Sequence, residues 1–300
     1  MPCASRPRQR RLLGLTAWAV VLLPATALHA QVAGAPVDAS TDQPDRTTAA
    51  TAPAEPGPRY ILAMAMLHAP VFPGAASSAN KVRPAFSFQL GRWTVSTSRA
   101  VDLGGLQVHQ TGPGASTVLR ETEQWQTGLS FRVHSGRNSA DDPALAGLPD
   151  IPASLEARLS ASLRLAAGWS ASTAWTQDLG HPRHGARIST TLGWSGTVAE
   201  GWRARAGLGL EAANGNFMRT HFGVPSAAAL PGSRPAYTPG AGWVSASLGG
   251  SLQYRVSPHW IVTTSATYGR LAGPAASSPL TQRAGAFSTL VGLAYVNKGN

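Results

Sequence analysis

An all-β fold, a transmembrane antiparallel up-and-down β-barrel of about twelve strands with ten to fourteen as the range, is what this sequence predicts. Three observations predict it. From Tyr60 onward, apolar and polar residues alternate with a period of two, and no sustained helical period follows the first thirty residues. The alternating segments run to ten residues or more, longer than soluble strands and matched to a tilted strand crossing a bilayer. Short and long connections take turns along the chain, as they do when turns lie on one side of a membrane and loops on the other.

The 300-residue chain opens with "MPCASRPRQRRLLGLTAWAVVLLPATALHA": four arginines, an apolar run from Leu12 to Leu23, then small residues. That is a secretory signal over residues 1–30, cleaved after Ala30 or Ala27, and its apolar run is too short to span a membrane. The "RR" pair lacks the rest of a twin-arginine motif, so export through Sec is expected. Loss of the four arginines takes the formal charge from +11 to +7 and removes Cys3, the only cysteine. An exported chain with no disulfide must be held by burial or by closed backbone pairing. Residues 31–58 are rich in Ala, Pro, Thr and Asp without apolar periodicity, and read as a disordered periplasmic linker before a barrel domain at 59–297.

The predicted strands are 59–69, 82–90, 92–99, 102–109, 115–134, 153–166, 168–178, 185–196, 201–212, 241–256, 258–270 and 286–297. In "SLEARLSASLRLAA" Leu155, Ala157, Leu159, Ala161 and Leu163 share one face, while Glu156, Arg158 and Arg164 share the other. "EQWQTGLSFRVH" sets Trp125, Leu129, Phe131 and Val133 against Arg132, and "ARISTTLGWS" sets Ile188, Leu192 and Trp194 against Arg187. "WVSASLGGSLQYRV" sets Val244, Ala246, Leu248, Leu252 and Tyr254 against Arg255. In "EGWRARAGLGLEA" the apolar face is Trp202 to Leu210, opposite Arg203, Arg205 and Glu211. An arginine on the lipid face would cost about 2–4 kcal/mol at mid-membrane, so these charged residues are expected to face the lumen. There they would form either an internal plug of ion pairs and water or a weakly anion-attracting path.

Trp93, Trp169, Trp202 and Trp260 each follow a short turn within two residues. Trp settles at a membrane interface, so the four are expected to form one girdle at the periplasmic side. An even strand count would place both chain ends there.

At this point the chain resembles the MipA/OmpV family, the MltA-interacting proteins of Gram-negative outer membranes. The resemblance is carried by "NFMRTHFGVPSAAALPGSRPAYTPGAG" (216–242) and "HWIVTTSATYGRLAGPAASSPL" (259–280), with "GRNSADDPALAGLPDI", "QDLG" and Arg83-Pro84 in support. Its most specific residues are Phe217, Met218, Phe222, Gly223, Val224, Ser278 and Pro279. The resemblance implies an outer-membrane barrel acting as a non-enzymatic scaffold for a murein synthase and a lytic transglycosylase; outer-membrane lipids would surround it, and its loop and turn cations would attract lipopolysaccharide phosphates. A small-solute or anion-preferring porin-like channel is the alternative.

Other chemistry is weakly signalled. "GLGLEA" fits a dinucleotide pattern only formally, since the period of two runs through it. His181 and His184 of "HPRH" show no carboxylate and no helical context, so no metal site is expected, and no cofactor. A rim hydrolase, the third reading, would draw on His134, His221, Asp178 and Ser135, which no spacing ties together; no catalytic residue is assigned. Cations spread along strands, without clustered exposed aromatics, argue against nucleic acid as a partner.

Overall fold

A computed structural model describes residues 58–97, 112–230 and 234–298. By compactness the chain divides into residues 1–53 and 54–300. The signal and most of the linker expected from the sequence, and the strand expected at 102–109, lie outside the described residues.

Twelve antiparallel strands close into a barrel, each paired with its neighbour in sequence and β1 with β12. They are β1 (Pro58–Pro70), β2 (Ser78–Leu90), β3 (Trp93–Ser96), β4 (Gly114–Glu121), β5 (Trp125–His134), β6 (Ser154–Arg164), β7 (Trp169–Asp178), β8 (Ala186–Ala199), β9 (Trp202–Ala213), β10 (Gly242–Arg255), β11 (Trp260–Leu271) and β12 (Gly285–Lys298). Closure removes every sheet edge, so the strands need no other partner for their backbone groups. The alternation in sequence becomes an alternation of exposure. Leu208 and Leu210 of β9, Leu248 of β10 and Met64 and Met66 of β1 point outward and are about half exposed, while Gly207, Gly209 and Ser251 between them are buried. A belt of exposed apolar side chains around a closed barrel is a lipid-facing surface.

The count of twelve is reached by a different division of one segment. The stretch expected as one strand over 115–134 is two, β4 and β5, joined by a turn at residues 122–124. That turn holds no Gly or Pro. Thr122 closes it instead, its Oγ1 accepting from the Trp125 N–H at 2.9 Å and its N–H donating to the Trp125 carbonyl at 2.7 Å. Two further turns are tight: Gly91 adopts φ 59°, and Ala167-Gly168 adopt φ 56° and 81°.

Short turns therefore alternate with long connections around the barrel, and Pro58 and Lys298, where β1 begins and β12 ends, lie on the short-turn side. On that side Trp93, Trp125, Trp169, Trp202 and Trp260 begin alternate strands. Trp202 stacks on Tyr254 at 4.7 Å, and Trp260 meets Tyr295 edge-on at 5.3 Å, with Tyr60 also against Tyr295.

The long connections fold back on themselves and make a cap. One cluster joins Phe72, Leu145, Leu148, Val224 and Leu280 from four different connections. A second joins Met218 and Phe222 of helix α1 (Gly215–Phe222) to Val244, Leu271 and Ala275, the last in α2 (Gly273–Ala276). The period of two in sequence puts Val244 on the lipid-facing side of β10. A register shift between Trp243 and Ser245 lets it turn in, and it is buried beneath α1 and α2. Arg234, also buried, ties the cap together by donating to the carbonyls of Ala144, Ala146 and Ala228 at 2.9, 2.7 and 2.9 Å.

Candidate functional site

The site is the inside of the barrel and the mouth beneath the cap. An eight-stranded barrel is just wide enough for side chains to fill, so twelve strands leave room unless the inward residues are large. On one side of this barrel they are small. Thr191 and Gly193 of β8 stand opposite Gly209 and Gly207 of β9, with Ser195 opposite Arg205, and the small residues continue into Ser247, Gly249 and Ser251 of β10 and Thr263, Ser265 and Thr267 of β11. Ala63 and Ala65 of β1, with Gly292 and Ala294 of β12, complete the smooth wall. The hydroxyls of Thr176, Ser189 and Thr263 face inward with no hydrogen-bond partner among the described residues, as suits a wetted surface.

Nearer the cap, on β5 to β9, lies a layer of buried charge. Arg187 of β8 donates from both Nη atoms to the two oxygens of Glu156 on β6, each at 2.9 Å, and its Nε lies 3.3 Å from Glu211 of β9. Its guanidinium also sits 5.4 Å from the Phe217 ring. Asp178 stands opposite Glu156 in register, Arg132 opposite it on the other side, and Arg158 opposite Thr176. Arg132 donates to the Gly112 carbonyl at 2.6 Å. A bidentate arginine between carboxylates is the geometry in which a buried pair recovers its desolvation cost.

The remaining charged residues expected at the lumen lie toward the short-turn end. Arg203 and Arg205 stand opposite Thr197 and Ser195, and Arg255 opposite Ile261. Arg164 pairs with Glu121 at the exposed rim.

Toward the cap the lumen widens into a cavity of about 440 Å³, whose wall includes Lys81, Arg83, Arg137, Arg187, Arg283 and Glu211. Lys81, Arg83 and Arg283 make no ion pair or side-chain hydrogen bond among the described residues. Of these three cations the sequence marks only Arg83, beside Pro84 in the family resemblance and not as a lumen residue. Lys81 was assigned to a loop and Arg83 to a strand end, although Lys81, Arg83 and Ala85 alternate with Val82, Pro84 and Phe86 and share a face of β2. Arg283 reaches the wall because its N–H and that of Gln282 both bond to the Gly74 carbonyl, which no local pattern shows.

His134 and His221, which the hydrolase reading drew on, do meet: their rings are 5.8 Å apart, edge to face, and His221 lies 4.2 Å from Phe217. Nδ1 of His134 accepts from the Gly136 N–H at 3.1 Å, and no serine hydroxyl is bonded to either ring among the described residues. Asp178 is held elsewhere, by Ser154 Oγ at 2.7 Å and by Nδ1 of His184 at 3.1 Å. The four residues are not linked as nucleophile, base and acid. His181 and His184, read as lacking a carboxylate, have one in Asp178, which the fold of the 179–185 connection brings against them.

Burial holds His221 well below its ordinary value of 6.5, and the nearby His134, Arg187, Arg137 and His184 push the same way. An unfolded chain accepts the proton that the packed cap refuses. The stability tied to His221 is therefore full above pH 6.5 and lost as the pH falls below it. Protease cleavage within residues 214–230 is expected to rise between pH 7.5 and 5, and His221→Leu is expected to flatten that dependence.

The residues that the family resemblance singled out assemble in the cap. Met218, Phe222 and Val224 are buried, and Ser278 Oγ donates to the Phe222 carbonyl at 2.6 Å while accepting from the Leu280 N–H. Residues 62–297 match the family described as MltA-interacting protein MipA. No curated protein matches the chain. Among solved structures it is similar to the NanC porin, with 10% identity over 78% of this chain and 98% of that one and a TM-score of 0.42. It is similar also to the KdgM porin, at 11% identity, 78% and 98% coverage and a TM-score of 0.39. An anion-selective porin from Comamonas acidovorans follows at 9% identity, 73% and 60% coverage and a TM-score of 0.33.

Proposed function

The chain belongs to the MltA-interacting protein MipA family and is an outer-membrane barrel; on that premise we propose that it admits small anionic solutes through its capped, cationic mouth. One observation carries this reading: Lys81, Arg83 and Arg283 line the mouth without side-chain partners among the described residues, above an inner wall rich in Gly, Ala, Ser and Thr. Unbalanced positive charge at the entrance of a low-dielectric channel raises the local concentration of anions. The Arg187 layer is nearly self-neutralised, so the selectivity belongs to the mouth. No catalytic step is part of this role. Proteoliposomes holding the protein are expected to swell faster in a small monoanion than in a neutral solute of equal size. Equal rates, or no swelling, would remove the reading.

The family's description as MltA-interacting protein supports binding of a protein partner, and we infer from it a second role as a scaffold joining a murein synthase and a lytic transglycosylase. Residues 31–58, which lead in sequence into the short-turn end of β1, and the short turns themselves would carry it. Pull-down of both enzyme classes with and without residues 31–58 tests this role: loss of capture on deletion supports it, and no capture by the full chain ends it. Both roles assume Sec export and removal of residues 1–30, which N-terminal sequencing of the mature protein checks. Both also place the apolar belt in outer-membrane lipid and leave the outer-loop cations near lipopolysaccharide phosphates.

A further inference from the structure

The connection between β7 and β8 gathers Asp178, His181 and His184 so that one ligand atom from each lies within 4.8 Å of the others. We propose that this triad is a binding site for a zinc-class divalent ion on the outer rim of the barrel, separate from the anion path.

The ligand set selects the ion. Two imidazoles and one carboxylate suit Zn²⁺, and three protein ligands leave a fourth tetrahedral position for water. Calcium or magnesium would require several more oxygens than the loop offers. Nδ1 of His184 lies 3.1 Å from Oδ2 of Asp178. Two ligands of one tetrahedral ion at about 2.1 Å lie about 3.4 Å apart, so this pair is already spaced to share one. The exposed His181 ring must close in by up to about 1.4 Å, from the 4.8 Å bound to the tetrahedral spacing, which a rotation of an exposed side chain can supply.

A simple loop staple accounts for only part of the arrangement. The Asp178 to His184 contact needs no second histidine, and among the described residues the hydrogen bonds of His181 involve only its backbone, its N–H donating to Oδ1 of Asp178 at 2.7 Å. Yet its ring stacks on that of His184, with centroids 4.7 Å apart and planes 19° from parallel. An ion shared between the two rings gives that placement a purpose.

The surroundings hold the ligands in place beforehand. Ser154 Oγ bonds to the carboxylate at 2.7 Å and orients it, as outer-shell donors do at metal sites. The N–H groups of Leu179 and Gly180 both bond to the Leu155 carbonyl, which fixes the start of the loop. Its end turns at Gly185, where φ is 92° and a Cβ would come within 2.2 Å of the Phe217 nitrogen. Asn214 Oδ1 then accepts from both Ala186 and Phe217, tying the loop to α1. Arg183, exposed between the two histidines, is the one cation within the loop that opposes binding.

The test is calorimetric titration of untagged, chelator-stripped full-length barrel with Zn²⁺. The wild-type protein is expected to bind one Zn²⁺ per chain at micromolar concentrations, and His181→Ala is expected to weaken binding about tenfold or more. Because the His181 side chain makes no other bond, that variant should keep the heat-modifiable migration of the folded barrel. His181→Cys, which replaces one zinc ligand with another, is expected to bind. No binding to wild type below about 100 μM, or unchanged binding in His181→Ala, would overturn the proposal.

Discussion

Arg187→Ala is expected to destabilise the barrel by about 3–5 kcal/mol, because it strands the buried Glu156 without its bidentate partner. The temperature at which the folded form loses its fast electrophoretic migration should fall accordingly. A second variant separates loss of a pair from stranding of a charge. Arg187→Ala combined with Glu156→Ala is expected to recover much of the lost stability, since Glu211, about one-fifth exposed, can reach water by itself. If the double variant were as unstable as the single one, the stabilising contacts of Arg187 would lie with Glu211 and Phe217 instead.

The second large effect concerns the mouth. Lys81→Glu, Arg83→Glu and Arg283→Glu together change three positive charges to three negative ones at the wall of one cavity. Entry of a small monoanion into proteoliposomes, relative to a neutral solute of the same size, is expected to drop about tenfold, or about 1.4 kcal/mol. The stability of the barrel should change little, because none of the three is part of the buried layer. Raising the salt from 0.01 M to 1 M shortens the screening length from about 30 Å to 3 Å, so the contrast between variant and wild type should shrink with it.

These expectations rest on features that differ in how plainly the sequence writes them. The outward and inward faces of β6 and β9 are legible, because a period of two survives wherever one face meets lipid and the other does not. The turn at residues 122–124 is illegible by the usual marks. "ETEQ" carries no Gly or Pro, and the hydrogen bonds that close it come from a threonine reaching the residue three ahead. Missing that turn also hides Trp125, which begins β5 as Trp169 begins β7.

The cap is legible only in part. Phe217, Met218, Phe222 and Ser278 stand out as a pattern, yet nothing local says that the Ser278 hydroxyl meets the Phe222 carbonyl across 56 positions of chain. The same holds for Arg234, whose three carbonyl partners include Ala144 and Ala146 from another connection. Contacts between loops depend on how the barrel spaces their roots, and a one-dimensional pattern does not record that distance. Asp178 is the opposite case. It lies three residues before His181 and six before His184, on view in the sequence, but its side belongs to the lumen-facing parity of β7, and the turn after it is what brings the histidines round.

The central claim is that the outer mouth makes this barrel favour anions. Its most direct test is the zero-current potential of the wild-type protein in a planar bilayer under a tenfold KCl gradient. A potential of the sign set by chloride, reduced at high salt and reversed by the three glutamate substitutions, is the predicted result. A potential of the sign set by potassium, or no conductance at all, would contradict it.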